Sequence, residues 1–139
     1  MPIKKCILFK SVRPMRNGKR NPKDYPYWDE LRILLSEKYN VSEVDEIIQL
    51  KELKELLLEA DLIICTDSFI QHYCWSIGKQ CVVIFGKSDP LVFGHQENIN
   101  LLKSRDSLRP NQFDIWENEA YDINVFVNAQ EILGEINNG

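Results

Sequence analysis

Asp67, Ser68 and His72 are the residues of this 139-residue chain best placed to do chemistry. A hydroxyl and an imidazole four positions apart share one face of a helix. The start of such a helix offers free backbone N–H groups to an anion. Asp67 taken alone reads as a helix N-cap, a role worth about 1 kcal/mol. His72 one turn on, together with a second polar cluster at Gly86-Lys87-Ser88-Asp89-Pro90, shifts the reading from a cap to an anion site. Zinc held by His72 and Cys74 finds no further ligands at a suitable spacing, so no metal and no resident cofactor is expected.

The elements that must position these residues follow from the apolar pattern. Ile3 to Phe9 reads as a first strand, and Lys10 to Pro26 as a long loop punctuated by Arg13-Pro14, Asn17-Gly18, Asn21-Pro22 and Tyr25-Pro26. From Trp28, the residues Leu31, Leu34, Leu35 and Tyr39 recur at helical spacing, and a weak second strand is expected near Val44 to Ile48. Leu50, Leu53, Leu56, Leu57 and Ala60 mark a second amphipathic helix. The runs Leu62 to Cys65 and Cys81 to Phe85 are continuously apolar, as strands covered on both faces are. Between them Ser68 to Ile77 supplies a crossover helix, with Asp67 placed to cap it and Gly78 to end it. A short element is expected at Asn98 to Leu102, and a last helix over Ala129 to Ile136 capped by Asn128. Residues 103–127 carry no assignable pattern. The fold class is therefore α/β with a parallel sheet, one domain over residues 1–139, and its ligand belongs outside the carboxyl ends of the strands.

Composition and charge narrow the function. With 44% hydrophobic and 27% charged residues, and only six glycines and six prolines, the chain reads as an ordinary globular domain. Its longest apolar runs fall far short of the roughly 20 residues of a membrane span, so a cytoplasmic location is expected. Cys6, Cys65, Cys74 and Cys81 form no C-x-x-C pair and read as buried thiols. The net charge of −4 divides into +8 over residues 1–23, which hold no acid, and −12 over the rest. That contrast fits either a local anion site or a solvated basic loop, whereas the acidic remainder argues against nucleic acid. Trp28, Trp75 and Trp116 read as packing residues, and His95 as a rim or turn residue.

The run Ala60-Asp61-Leu62-Ile63-Ile64-Cys65-Thr66-Asp67-Ser68-Phe69-Ile70-Gln71-His72, followed by Ile77-Gly78-Lys79, Phe85-Gly86-Lys87-Ser88-Asp89-Pro90 and Gly94, resembles the signature of glycosyltransferase family 9. That family includes the ADP-heptose:lipopolysaccharide heptosyltransferases. The resemblance implies a Rossmann-like three-layer domain equivalent to the C-terminal, donor-binding lobe of a GT-B enzyme. It implies that Asp67 and His72 lie at a donor pyrophosphate cradled by the backbone of Ser68, Phe69 and Ile70. Ser11 and one of Lys19, Arg20 or Lys23 would touch phosphate from the first loop, with Lys87 and Ser88 approaching from the loop after Phe85. An acidic residue near the second strand would hold the nucleoside, with Glu43, Asp45 and Glu46 as candidates.

Two departures stand out. Phe69 replaces the family's usual glycine, and Lys87 its usual proline. The first strand begins at the third residue, so the acceptor-binding lobe, where the resemblance would place the catalytic base, is expected to be absent, and no catalytic residue is assigned. The resulting expectation is a stand-alone donor lobe that binds an ADP-type nucleotide diphosphate or nucleotide sugar for capture or sensing. The alternative is half of a split transferase completed by a separate acceptor-lobe chain. Self-association would be the other way to cover the exposed face. Whether any sugar is transferred stays open at this level.

Overall fold

The computed structural model describes residues 3–44 and 49–138. Its strands are Lys4–Phe9 (β1), Tyr39–Val44 (β2), Leu62–Thr66 (β3), Val82–Phe85 (β4) and Ile99–Leu102 (β5). Its helices are Trp28–Leu35 (α1), Leu50–Glu59 (α2), Phe69–Ser76 (α3), Pro90–Phe93 (α4) and Ala129–Asn138 (α5). All strand pairs are parallel, in the order β2-β1-β3-β4-β5.

Alternation along the strands divides the core between the two faces of the sheet. Cys6, Leu8, Ile64, Val82, Ile84 and Leu101 pack on one side beneath Trp28, Leu31 and Leu35 of α1 and Ile132 of α5. Ile7, Phe9, Ile63, Cys65, Val83 and Phe85 pack on the other beneath Leu53 and Leu57 of α2 and Cys74 of α3. Both faces are covered, which is why β3 and β4 read as unbroken apolar runs. Leu31, Leu35 and Leu57 are fully buried, each contributing on the order of 1.5–3 kcal/mol relative to exposure.

The expected elements form, with two corrections. The second strand lies at Tyr39–Val44, earlier than Val44 to Ile48, and residues 45–48 are outside the described residues. Tyr39 thus begins a strand rather than ending α1. Pairing with β1, Lys4 opposite Tyr39 through Phe9 opposite Val44, overrides the local helical spacing. Asp67 does not cap α3: Ser68 occupies that position, and no side chain caps the helix. Gly78, at φ +72°, does end α3. Its N–H donates to the Trp75 carbonyl and that of Lys79 to Cys74, the paired bonds of a left-handed helix stop. Asn128 caps α5 reciprocally with Glu131.

Residues 103–127 hold three single turns of 3₁₀-helix, at Arg105–Ser107, Trp116–Asn118 and Ile123–Val125. The segment is anchored by side chains rather than by a ladder. Arg109, 4% exposed, donates to the carbonyls of Asn111 and Asp114 and stacks on Trp116. Gln112 ties the segment to the loop after β4 by accepting from Asp89 N and donating to Lys87 O. No helix among the described residues is long and apolar enough to cross a membrane.

Gly86, at the end of β4, is where this segment presses hardest on the sheet. A Cβ there would stand 2.8 Å from Cε1 of Phe126 and 2.9 Å from Cγ2 of Val125, both buried. Gly86→Ala is expected to destabilise the fold by about 1–3 kcal/mol, the usual cost of overpacking. Urea unfolding checks it, and an unchanged midpoint would show that the packing yields.

Candidate functional site

With β1 flanked by β2 on one side and β3 on the other, the chain leaves β1 toward one face of the sheet and β3 toward the opposite face. The loops part there, and in doubly wound sheets the resulting crevice is the usual ligand position. A cavity of about 590 Å³ opens at this point. The loop after β1 supplies Ser11, Val12, Arg13 and Pro14, with Asn21 and Lys23 further along it. Asp67, Ser68, Phe69 and Ile70 enter from the β3–α3 junction, Leu50 and Leu53 from α2, and Trp116 from the C-terminal segment.

The long loop holds its shape internally. Asn21 is buried, donates to the Arg13 carbonyl and accepts from Lys23 N. Gly18 closes a turn onto the Met15 carbonyl at φ +73°. Tyr25 fastens the loop's far end, its hydroxyl donating to Val127 O and its ring packed edge-on against Trp28 and Phe126.

Lys23 Nζ lies 3.0 Å from Asp67 Oδ2 and stands over the Trp116 ring. Gln71, wholly buried, donates to the other oxygen of Asp67. Asp67 is thereby drawn beneath α3, and the first-turn N–H groups of that helix have no side-chain partner. Ser68 Oγ turns back to the Thr66 carbonyl at 3.2 Å. The helix start beside Ser68, Phe69 and Ile70 thus presents donors to the cavity, with a lysine opposite.

The remaining expected residues are distributed as follows. Ser11 is on the wall, and of Lys19, Arg20 and Lys23 only Lys23 is. Lys19 sits on the exposed turn at Gly18, and Arg20 pairs with Asp24 and covers Tyr121. Lys87 points to Glu119 and the Ala120 carbonyl, and Ser88 is buried with its hydroxyl unpartnered; neither lines the cavity. Glu43 is held by Lys10 and Arg32, and Asp45 and Glu46 fall outside the described residues. His72 is off the wall, its Nδ1 2.8 Å from Nε2 of His95.

Sequence reasoning missed Arg13, Asn21, Leu50, Leu53 and Trp116. Trp116, read from the sequence as a packing residue, packs under Arg109 and also lines the cavity. No local signal marks it, because it arrives from a segment without periodicity. Its neighbour Glu117 holds that segment to the first loop, accepting from Nη1 and Nη2 of Arg13 at 2.9 and 3.2 Å and from Arg16 N at 3.0 Å. These donors hold the Glu117 carboxyl down to about 2.

The four cysteines are free and buried; burial pushes Cys6 up to about 12, and hydrogen bonding with Cys81 followed by burial raises Cys74. Such thiols are not nucleophiles near neutrality. No group of three or more His, Cys, Asp or Glu able to hold a metal occurs among the described residues.

The model of glycosyltransferase family 9 (heptosyltransferase) matches residues 20–116, more than half of the chain. No curated protein and no solved structure gives a match. A five-stranded parallel sheet between two helical layers is consistent with a Rossmann-like lobe of the GT-B architecture.

The low value at Glu117 fixes the direction of a pH effect. A carboxyl that titrates lower folded than unfolded adds stability that is complete above its ordinary value of 4.5 and fades as pH falls toward about 2. Native protein should therefore exceed Glu117→Gln in urea midpoint at pH 6, with the gap narrowing between pH 4.5 and 2.5. A gap independent of pH would show that the Arg13–Glu117 contact carries no charge-dependent stability.

Proposed function

The chain belongs to glycosyltransferase family 9, and from that premise we propose that its cavity binds the diphosphate of a nucleotide or nucleotide sugar, with an ADP-type ligand favoured. The observation that carries this reading is the uncapped start of α3 facing a cavity at the β1/β3 crevice, with Lys23 across from it. A phosphate there would accept backbone N–H bonds at the positive end of the helix dipole. An ammonium group carries three donors, so Lys23 keeps two beyond the one directed at Asp67. Leu50, Leu53, Phe69 and Trp116 offer apolar surface to a base, and the volume lies within the usual range for small-ligand sites.

Asp67 serves this arrangement as a holder of Lys23 rather than as a phosphate ligand, because a carboxylate at neutral pH repels an anion. The remaining basic residues of the first loop support a local site. Of the eight Lys and Arg in residues 1–23, Lys5, Lys10, Arg13, Arg20 and Lys23 are in ion pairs with acidic residues. Five of the eight are thus matched by carboxylates, which lowers the charge the segment offers to a long polyanion. The function we propose is ligand capture, with the chain acting as a donor lobe.

Calorimetric titration with ADP, ADP-sugars and UDP tests this, followed by an assay for donor turnover. Saturable binding of an ADP-type ligand without turnover is expected, weakened about tenfold or more in Lys23→Ala, as loss of a charge-assisted contact implies. Lys23 is a cleaner probe than Asp67, whose removal would leave Gln71 and Lys23 unpaired. Failure of every nucleotide to bind would overturn the reading, and turnover would replace capture by transfer.

A further inference from the structure

β5 stands at one side of the sheet, paired to β4 and to no further strand among the described residues. In a parallel ladder, successive residues turn their backbone groups alternately to one side and to the other. Ile99 N donates to Cys81 O, so Ile99 and Leu101 face β4 while Asn100 and Leu102 present N–H and C=O outward. Among the described residues nothing bonds to those outward groups. Proteins usually blunt such an edge with a charge or a proline, and Ile99-Asn100-Leu101-Leu102 carries neither.

A groove of about 220 Å³ runs beside this edge, between residues 100–103 and the flank of α5. Glu131 and Glu135, one helical turn apart, line it, and neither is in an ion pair among the described residues. Lys103, the cation on the lining, directs its ammonium to the Asn124 carbonyl at 2.9 Å. The groove therefore offers strand-pairing groups on one side and unmatched negative charge on the other. It shares no lining residue with the cavity at the β1/β3 crevice, so its occupant is independent of the ligand there.

Spacing and charge select that occupant. Alternate residues of an extended strand lie roughly 6.6–6.8 Å apart, and the rise between helix positions i and i+4 is about 6 Å. Two basic side chains separated by one residue on an added strand thus match Glu131 and Glu135. A second copy of this chain does not, because antiparallel pairing of two β5 edges about a two-fold axis brings the carboxylates of both copies to one face of the joined sheet. We propose that the groove between β5 and α5 docks an extended segment of another protein carrying Lys or Arg at alternate positions. Its main chain pairs with Asn100 and Leu102 as a sixth strand, and its basic side chains meet Glu131 and Glu135.

Three fluorescent synthetic peptides titrated against the full chain test this by anisotropy: one of alternating Lys and Val, one of alternating Glu and Val, and the first N-methylated throughout its backbone. Saturable binding of the Lys peptide alone is expected. The double variant Glu131→Gln with Glu135→Gln should lose about tenfold or more in affinity, as loss of charge-assisted contacts implies. Glutamine at 131 keeps an oxygen for the Asn128 N–H, so α5 retains its cap. On binding, amide exchange at Asn100 and Leu102 should slow by about tenfold or more. Equal binding of the Glu peptide, unchanged affinity in the double variant, binding that survives N-methylation, or protection at the β1/β3 crevice instead of β5 would each overturn the proposal. So would a Lys peptide that fails to bind at about 1 mM.

Discussion

Because all the described strands run parallel, each connection must cross the sheet, and every helix that follows a strand begins at the same edge. With β1 between β2 and β3, successive crossovers depart to opposite faces at one place only. α1 goes to the face covered by α5, and α3 to the face covered by α2. The crevice between them is a consequence of strand order and needs no special residue to create it. What the sequence must then provide is a lining, and it does so with a long polar loop after β1 and an uncapped helix start after β3. The position of the cavity and the charge of its floor thus have separate physical origins.

Charge at this crevice is organised by pairing. Lys23 is matched by Asp67 and Arg13 by Glu117, so the two cations on the wall stand beside carboxylates from distant parts of the chain. Of the four groups only Asp67 is buried and needs its partner, while Arg13 is exposed; both pairs nevertheless fix geometry. The Lys23–Asp67 pair sets the first loop against α3, and the Arg13–Glu117 fork sets the C-terminal segment against the first loop. Two ion pairs and the ring of Trp116, together with hydrogen bonds such as Tyr25 to the Val127 carbonyl, thus help to hold around one cavity three pieces of chain that share no backbone ladder. The anion of the proposed function would meet donors whose orientation is already determined, which would lower the ordering cost of binding.

How far the sequence foretold this depends on whether the deciding force was local. β3, α3 and β4 were legible because continuous apolar runs, a glycine stop and a helix-length interval are local signals, and Asp67, Ser68, Phe69 and Ile70 came with them onto the cavity wall. The second strand was misplaced because Leu34, Leu35 and Tyr39 keep helical spacing while Tyr39 and Val41 gain more by pairing with β1. Asp67 was misread as a cap because its partners, Lys23 and Gln71, compete with the helix start for its oxygens. Trp116 and Arg109 were illegible: their places follow from stacking and from carbonyls reached by a buried guanidinium, and no periodicity records either.

Phe69 shows how a departure from a family pattern should be weighed. A glycine is indispensable where the backbone must take positive φ or where no Cβ fits. Among the described residues no side-chain-bearing residue has positive φ, and Phe69 is the first residue of α3 in ordinary right-handed geometry. Backbone conformation therefore does not require glycine there. The cost of the larger residue falls on space alone, and the ring spends it outward: Phe69 is 58% exposed and meets Tyr73 edge-on at 5.5 Å. It narrows the rim of the cavity while leaving the helix start in the wall. If the floor binds phosphate as proposed, a bulky apolar rim beside it would favour ligands with a flat group attached to the phosphate over free phosphate, because only the former would gain from both surfaces.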